Sequence, residues 1–411
     1  MNFFGQKKIG RALAICASLI CFTSAPTYAQ NEIIVGASRL GKYKKLLQNK
    51  RVALAANATS VIVRDDGTKI HDLDFLLGNK INVVKVFAPE HGFRGDGEAG
   101  ETIKNDTDKK TGVPIFSLYG KSLKPSPESL QGVDIMVYDI QDVGARFFTY
   151  ISTMHYVMEA CAQNDIPLVI FDRPNPNIDC VSGPVRDEKF KSFVSLDPIP
   201  VSYGMTAGEL ARMINGQGWL EGGVKCKLTV IPVQNYTRKT RYVLPVPPSP
   251  NLPSRRAVRF YPFLCLFEAT VVSEGRGTPA PFTAVGYPDI SFGEYVFTPQ
   301  SIKGMATNPK FKGQKCYGID LKNEPLYSDD FGRADARPDG IFTLKYFLRF
   351  AHDFGGAKNM VDQKEGLSRL WGNDKLIEQI DSGMSEEEIR AAWMPDVEKF
   401  LRDRKPYLIY K

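Results

Sequence analysis

The 411 residues of this chain exceed what one hydrophobic core usually serves, so the length favours two domains. Hydrophobic residues make up 43% of the chain and charged residues 24%, which is typical of a soluble globular protein. The formal net charge of +7 falls to +4 without residues 1–29, which is too small and too scattered to indicate a nucleic-acid-binding protein.

The N-terminal segment, residues 1–29, predicts a cleaved signal peptide. Three basic side chains within residues 7–11 precede an apolar stretch at 12–22, and residues 27–29 offer the small side chains that a signal peptidase reads. The apolar stretch is shorter than the roughly 20 residues that a bilayer crossing needs. We therefore expect an exported protein, periplasmic or secreted, with no integral membrane segment after cleavage.

Short β-rich apolar runs alternate with helical patterns in the first half of the mature chain. The predicted strands are residues 52–56, 81–87, 134–138, 167–171 and 228–233. The predicted helices between them are residues 73–77, 149–162 and 206–214. This alternation is typical of a parallel sheet flanked by helices, so the first half is predicted to be a Rossmann-like α/β domain.

A proline-rich stretch at residues 244–253 marks a change of character, because it suits neither a regular helix nor a central strand. We expect an α/β domain over residues 30–238 and a smaller, mixed α+β domain over residues 239–411. Within the latter, Ser385 and Glu388 have the spacing of a capping box that opens a helix.

The mature chain has an odd number of cysteines and no CxxC spacing. Its five cysteines are Cys161, Cys180, Cys226, Cys265 and Cys316. The apolar surroundings of Cys161 and Cys265 favour buried thiols over a disulfide framework.

Polar clusters follow three successive predicted strands. They are Ala88-Pro89-Glu90-His91-Gly92-Phe93-Arg94-Gly95, Asp139-Ile140-Gln141-Asp142-Val143-Gly144-Ala145-Arg146 and Asp172-Arg173-Pro174-Asn175-Pro176. One such cluster could simply form a turn, because Asp, Asn, Pro and Gly are the residues that turns favour. The same explanation is weaker for three clusters that follow successive strands. Ligands bind at the carboxyl ends of parallel strands, so these clusters should converge on a site if the strands are neighbours.

The first cluster supplies a candidate acid. A glycoside hydrolase needs a proton donor near the leaving oxygen and usually a second carboxylate. Glu90 lies between rigid Pro89 and flexible Gly92, which can fix its position; a helix cap or a salt bridge is the alternative role. His91 is a candidate for orientation or substrate contact, or it is structural. Tyr150 is a candidate sugar platform, or it packs in the core.

Two segments of the second half are similarly specialised, namely Pro247-Pro248-Ser249-Pro250-Asn251-Leu252-Pro253 and Ser273-Glu274-Gly275-Arg276-Gly277-Thr278-Pro279. The first is a stiff extended strip that holds Asn251 in place. In the second, glycines bracket Arg276, so a carboxylate and a guanidinium project from one loop. Glu274 is the candidate second carboxylate, with Glu268 behind it; a pairing of Glu274 with Arg276 is the alternative.

Asp139 and Asp142 flank Gln141 at a spacing that would also suit a metal. The four histidines are scattered without a paired motif, so we expect no metal, although a hard cation on carboxylates is an alternative. For Asp139, pairing with Arg146 or Arg173 is as consistent with the sequence as a substrate contact.

The segment from Gly95 to Gly100 matches the dinucleotide-binding pattern GxGxxG by letter only. It does not open an apolar helix, and Asp96, Glu98 and Glu101 would repel a pyrophosphate. It is predicted to be an acidic loop over the site, and we expect no cofactor.

Taken together, these motifs resemble the exo-β-N-acetylmuramidases of the NamZ type. The resemblance rests on Pro89-Glu90-His91-Gly92-Phe93, Ser117-Leu118-Tyr119-Gly120, Asp139 to Phe147, Asp172-Arg173-Pro174-Asn175-Pro176, Gly204-Met205-Thr206, Pro248-Ser249-Pro250-Asn251 and Ser273-Glu274-Gly275-Arg276-Gly277-Thr278. The segments run in family order across most of the mature chain. A departure is Asn177-Ile178-Asp179-Cys180, where a glycine-bearing stretch is expected.

The resemblance implies a Rossmann-like domain, a smaller C-terminal domain and a cleft between them that removes terminal N-acetylmuramic acid from non-reducing ends of peptidoglycan. The lactyl carboxylate of that sugar could be clamped by an arginine. Glu90 and Glu274 are then the expected catalytic pair. The expected substrate-binding residues are His91, Arg94, Asp139, Gln141, Asp142, Arg146, Tyr150, Asp172, Arg173, Asn175, Asn251 and Arg276.

Peptidoglycan fragments or muropeptides are the expected partners, and nucleic acid is not. Two other functions are consistent with the residues. One is a muropeptide-binding protein without chemistry, and the other is a metal-assisted esterase or amidase that uses Asp139, Asp142 and His91.

Overall fold

The computed structural model describes residues 1, 32–90, 92–94, 105–120, 122–333 and 338–411. Residues 2–29 of the predicted signal peptide and the segment from Gly95 to Gly100 lie outside these residues. Among the helices that are described, none is long and apolar enough to cross a membrane.

The largest element is a seven-stranded sheet. The strands of the described chain are β1 (Val52–Ala56), β2 (Val61–Val63), β3 (Lys69–His71), β4 (Val83–Ala88), β5 (Asp106–Thr107), β6 (Pro114–Ser117), β7 (Ile135–Asp139), β8 (Leu168–Phe171), β9 (Val181–Ser182), β10 (Ser202–Tyr203), β11 (Leu228–Ile231), β12 (Ala284–Tyr287), β13 (Tyr295–Phe297) and β14 (Cys316–Asp320). The sheet runs β11-β8-β7-β1-β4-β6-β5, and every neighbouring pair is parallel except β5 with β6. All five predicted strands lie in it.

The helices of the described chain are α1 (Leu40–Leu47), α2 (Asp72–Gly78), α3 (Pro127–Leu130), α4 (Tyr150–Gln163), α5 (Ala207–Gln217), α6 (Arg255–Leu264), α7 (Lys345–Asp353), α8 (Ala357–Met360), α9 (Lys364–Trp371), α10 (Leu376–Asp381) and α11 (Glu386–Asp403). The predicted capping box is confirmed at Ser385 and Glu388, and a second one opens α5 at Thr206 and Glu209. Both boxes satisfy amide groups that a helix start would otherwise leave unpaired.

Helices cover both faces of the sheet, which explains why β1 is apolar along its whole length. Alternate side chains of β1 enter two different cores: Val52, Leu54 and Ala56 pack with α1 and α2, whereas Ala53 and Ala55 pack on the side of α4 and α5. A strand in which apolar and polar residues alternate would have one face in water. The apolar runs thus identified strands covered on both faces.

The C-terminal half combines α6 to α11 with an antiparallel sheet in the order β12-β14-β13. The predicted class, a mostly parallel Rossmann-like sheet plus a smaller mixed region, is therefore confirmed. The boundary after residue 238 stays a prediction. The end of the chain returns to the large sheet, where the Tyr410 hydroxyl donates to Asp172 at 2.7 Å and accepts from the Val233 amide at 2.8 Å.

The prediction for the cysteines is confirmed. All five described cysteines are buried and free, and burial raises the pKa of each thiol. They behave as small apolar side chains of the core.

Candidate active site

A cavity of about 190 Å³ lies at the carboxyl end of the large sheet and draws on both halves of the chain. Its wall consists of Glu90, Tyr119, Phe147, Phe148, Thr149, Tyr150, Phe193, Val194, Ser249, Asn251, Leu252, Tyr261, Glu268, Arg276 and Phe282. Glu90, Tyr119 and the segment 147–150 follow β4, β6 and β7 in turn. This is the edge at which the sequence predicts a ligand site.

Glu90 enters the cavity from the turn that follows β4. The Gly92 amide donates to the Pro89 carbonyl at 3.1 Å, and Gly92 has a φ of 75°, which a residue with a Cβ adopts only with strain. The Thr149 hydroxyl donates to Glu90 Oε2 at 3.2 Å. The carboxylate is therefore held by its own turn and by the start of α4. His91 lies outside the described residues.

Tyr119 also contacts Glu90. Burial raises the pKa of the Tyr119 hydroxyl, and the charge of Glu90 and a hydrogen bond to it raise the pKa further. The hydroxyl therefore remains a donor at neutral pH. Tyr119 thus orients the carboxylate of Glu90 from the end of β6.

A second carboxylate reaches the cavity from the C-terminal half. Glu268 lines the cavity, with its side chain 31% exposed, and Arg276 Nη2 lies 2.5 Å from its Oε1. Burial lowers the pKa of Arg276, but the charges of Glu268 and Glu274 outweigh burial and raise it overall. Arg276 therefore carries a permanent positive charge beside Glu268.

Glu274, the predicted second carboxylate, is placed differently. Its side chain is only 4% exposed, and it lies 3.3 Å from Arg276 Nε and 3.2 Å from Lys310 Nζ. Lys310 also donates to the backbone carbonyls of Phe267 and Val272. The structure thus places Glu274 behind Arg276 rather than on the cavity wall.

The inner end of the cavity is aromatic. Tyr261 makes edge-to-face contacts with Phe147, Phe148 and Phe282 at centroid distances of 5.4, 5.8 and 5.0 Å. The predicted platform Tyr150 packs edge-to-face with Phe148 at 4.7 Å, and its hydroxyl donates to the Pro248 carbonyl at 3.3 Å. Such a rigid apolar wall with few polar groups is characteristic of a small-molecule site.

The other end of the cavity wall is half-buried. Tyr119 and Phe193 lie there with ring centroids 6.3 Å apart, and Phe193 stacks parallel to Tyr156 at 6.2 Å. Phe193 is not predicted as a site residue from the sequence, because it lies in a loop where no periodic pattern marks it. Tyr119 is not predicted either, although it belongs to a motif on which the family resemblance rests.

Most of the other predicted site residues form a buried polar layer at the same sheet edge and do not line the cavity. Arg173 Nη2 donates to Asp139 Oδ2 at 2.9 Å, and Arg173 Nε donates to the other oxygen of that carboxylate. Arg173 also lies 3.6 Å from Asp72. Burial and the charge of Asp139 raise the pKa of Asp72, and the charge of Arg173 opposes this rise.

Gln141, Asp142 and Asn175 connect the loops of this layer. Gln141 Nε2 donates to the Pro174 carbonyl at 2.8 Å, and Asn175 Nδ2 donates to the Met205 carbonyl at 2.8 Å. Asp142 accepts from the Tyr203 hydroxyl, and burial raises the pKa of its carboxyl group to about 6. These three side chains form hydrogen bonds within and between the loops and do not line the cavity.

Asp172 has a comparable role at the end of β8. It accepts from the Thr206 hydroxyl, the Gly208 amide and the Tyr410 hydroxyl at 2.7 to 2.8 Å. Burial raises the pKa of Asp172 to about 7. It therefore fastens the start of α5 and the C-terminal segment to the sheet.

Two predicted arginines also lie outside the cavity wall. Arg146 is fully buried, where its Nη1 and Nη2 donate to the carbonyls of Pro184, Ile199, Leu370 and Trp371, and burial lowers its pKa to about 9. Arg94 is partly exposed and pairs at 3.0 Å with the buried carboxylate of Asp108. Of the four predicted arginines, all described, only Arg276 lines the cavity.

The buried ion pair between Arg173 and Asp139 should contribute strongly to the stability of the protein. We expect Arg173→Met to lower the free energy of unfolding by about 3–5 kcal/mol, because Asp139 would stay buried without its partner. Arg51→Met is the matched control, with little expected change in the free energy of unfolding, because both side chains of its ion pair with Asp134 are open to water. Urea unfolding of both variants gives the comparison, and equal losses would contradict a structural role for Arg173.

No group of three or more His, Cys, Asp or Glu side chains that could hold a metal ion occurs in the part of the chain that the structure describes. The metal-assisted alternative uses Asp139 and Asp142 as ligands. In the structure, these carboxylates accept hydrogen bonds from Arg173 and Tyr203, respectively.

Comparisons with known proteins assign most of the chain to one family. The chain matches the family models "Exo-beta-N-acetylmuramidase NamZ, N-terminal" over residues 52–256 and "Exo-beta-N-acetylmuramidase NamZ, C-terminal" over residues 259–410. It is 38% identical over 387 residues to the peptidoglycan beta-N-acetylmuramidase NamZ of Bacillus subtilis, which covers 90% of this chain and 89% of that protein.

Two solved structures share the fold of this chain. Crystal structures of two DUF1343-family proteins from Bacteroides fragilis superpose with TM-scores of 0.81 and 0.75, at 44% and 29% identity. Each comparison covers 92% of this chain and 99% of the other. This chain therefore belongs to the NamZ family of exo-beta-N-acetylmuramidases.

Proposed function

We propose that this protein is an exo-acting β-N-acetylmuramidase that hydrolyses terminal N-acetylmuramic acid from the non-reducing ends of peptidoglycan fragments. The observation that carries the proposal is the pair of carboxylates, Glu90 and Glu268, on the wall of one small cavity in a chain of this family. Two carboxyl groups flanking one bond are what most glycoside hydrolases use.

The shape of the cavity supports exo action. Its volume of about 190 Å³ lies below the roughly 300–1,000 Å³ of common small-molecule pockets, which suits one sugar unit rather than a chain. The inner wall, with Phe148 and Tyr261, is buried, whereas Tyr119 and Phe193 are half-buried. A terminal sugar enters the closed end, and the rest of the glycan stays outside near Tyr119 and Phe193.

The two carboxylates have different surroundings and take different roles. Glu90 receives hydrogen bonds from neutral hydroxyl groups of Tyr119 and Thr149 and acts as the proton donor to the leaving oxygen. Glu268 has the permanent charge of Arg276 beside it, which suits a carboxylate that acts in its ionised form. The protein needs no metal in this scheme.

Arg276 also supplies the charge for recognising a muramic acid. The lactyl group of this sugar ends in a carboxylate, and an arginine on the cavity wall can bind it through two parallel hydrogen bonds. Glucosamine lacks the lactyl group. The enzyme therefore prefers muramides to glucosaminides.

The place of action follows from the N-terminal segment. The predicted signal peptide sends the mature enzyme to the periplasm or the medium, where peptidoglycan fragments occur and cell-wall degradation and recycling begin. Edman sequencing of the chain recovered from the periplasm or the medium should give an N-terminus near residue 30, whereas an intact N-terminus in the cytoplasm would contradict export.

A chromogenic assay separates the proposal from its alternatives. We expect release of p-nitrophenol from p-nitrophenyl β-N-acetylmuramide, little release from the matching glucosaminide, and no change with EDTA. A pure muropeptide-binding protein would bind the muramide without turnover. A metal-assisted esterase or amidase would also release no p-nitrophenol from this glycoside, but it would cleave ester or amide bonds of muropeptides in a reaction that EDTA stops. Either outcome would replace the proposed function.

A further inference from the structure

Asn251 presents a buried acceptor that the described protein does not use. The residue is only 1% exposed and lines the cavity. Its Nδ2 donates to the Met305 carbonyl at 2.7 Å, which fixes which end of the amide is nitrogen. Its Oδ1 is buried and has no hydrogen-bond partner among the described residues. Buried polar atoms are nearly always paired, so an unpaired acceptor on a cavity wall indicates a ligand group.

The strip that carries Asn251 is stiff. Pro250 and Pro253 restrict the backbone on either side, the Asn251 amide donates to the Ser249 hydroxyl at 3.3 Å, and the Leu252 amide donates to the Ser249 carbonyl at 2.9 Å. The acceptor is therefore held in place before a ligand arrives, which reduces the entropy lost on binding.

The chemistry of the acceptor restricts its partner. One N–H of Nδ2 is bound to the Met305 carbonyl, whereas Oδ1 still needs a donor. Of the ring substituents of N-acetylmuramic acid, the 2-acetamido group is the one that combines an N–H donor with a methyl group. The aromatic side chains Tyr261 and Phe282 on the same wall suit a methyl group.

We propose that Asn251 forms an acetamido subsite, in which its Oδ1 accepts from the amide N–H of the 2-acetamido group of the terminal sugar, with the methyl group against the aromatic wall. This inference rests on the proposed function and names the group that the cavity recognises. It makes Asn251 a specificity residue and leaves the acid and base roles with Glu90 and Glu268.

The test uses two muramides that differ in one atom. The first is the p-nitrophenyl N-acetylmuramide, and the second carries a 2-O-acetyl ester, which keeps the carbonyl and the methyl but lacks the N–H. We expect the wild-type enzyme to prefer the N-acetyl substrate in kcat/KM by about 10-fold to 100-fold. In Asn251→Ala this ratio should fall to about one, because the two changes remove the same bond.

Asn177→Ala is the matched control. Asn177 is an equally buried asparagine whose Nδ2 also donates to backbone carbonyls, those of Val143 and Val258, but it does not line the cavity. Its loss should lower the melting temperature and leave the substrate ratio at the wild-type value. A merely structural role for Asn251 would give this same pattern.

The outcomes separate the two proposals. A wild-type enzyme that hydrolyses both muramides equally well overturns the acetamido subsite without need of any variant, as does an Asn251→Ala enzyme that keeps the wild-type ratio. A wild-type enzyme that hydrolyses neither muramide overturns the proposed function and, with it, the subsite.

Discussion

Replacing Glu90 by glutamine should lower kcat on a muramyl disaccharide by about 100-fold or more while the fold is retained, as expected for loss of a general acid. Glutamine preserves the size of the side chain and can still accept from the Thr149 hydroxyl. The loss should depend on the leaving group. A 2,4-dinitrophenyl muramide needs little protonation of its leaving oxygen, so the same variant should hydrolyse it at close to the wild-type rate.

Steady-state kinetics on the two substrates and a melting curve make the measurement. Glu365→Gln is a suitable control because its side chain is 89% exposed on α9, away from the cavity. Near-normal turnover of the disaccharide by the Glu90 variant would remove this residue from the mechanism. Equal losses on both substrates would show that Glu90 acts other than as a proton donor.

A loss of similar size should follow from Glu268→Gln, and a much smaller one from Glu274→Gln. Glu268 lies on the cavity wall, so its substitution removes the ionised partner of Glu90 and should lower kcat by about 100-fold or more. Glu274 is buried between Arg276 and Lys310, so its substitution removes a carboxylate that both cations share and should mainly reduce stability.

Measuring kcat and the melting temperature for both variants separates the two positions. We expect the Glu268 variant to lose activity and keep its stability, and the Glu274 variant to lose stability and keep most of its activity. The reverse pattern would return Glu274 to the role that the sequence assigns to it. Loss of activity in both variants with intact folding would show that Arg276 must be held by both carboxylates.

The sheet was predictable because its central strands are covered on both faces. Such strands read as continuous apolar runs, and residues 52–56 and 135–139 stand out for this reason. The strand β6 (Pro114–Ser117) was not predicted from the sequence, because its residues differ in burial and it begins with proline. Missing β6 also meant missing Tyr119, which follows it and contacts Glu90.

The candidate site was predictable only in part. The polar ends of β4, β7 and β8 do meet at one edge, as parallel topology requires. Sequence spacing does not show whether an acidic side chain at such an edge faces the ligand or an arginine. Glu90 faces the cavity, whereas Asp139 pairs with buried Arg173.

In the C-terminal half, too, the sequence does not show which acidic side chain faces the cavity. Ser273 to Thr278 has the appearance of a catalytic loop, and Arg276 of that loop does reach the cavity. The carboxylate beside it on the wall, however, comes from the 3₁₀ turn Cys265–Ala269, within an apolar segment where Glu268 is the single acidic residue. A lone acid inside an apolar run was the signal that could have ranked Glu268 above Glu274.

The most direct measurement is the time course of products from a purified peptidoglycan oligosaccharide that begins with N-acetylmuramic acid at its non-reducing end. We predict that N-acetylmuramic acid appears alone as the first product and that the remaining chain, now ending in N-acetylglucosamine, is not shortened further. Release of disaccharides or internal fragments, or a chain that stays intact, would contradict an exo-acting muramidase.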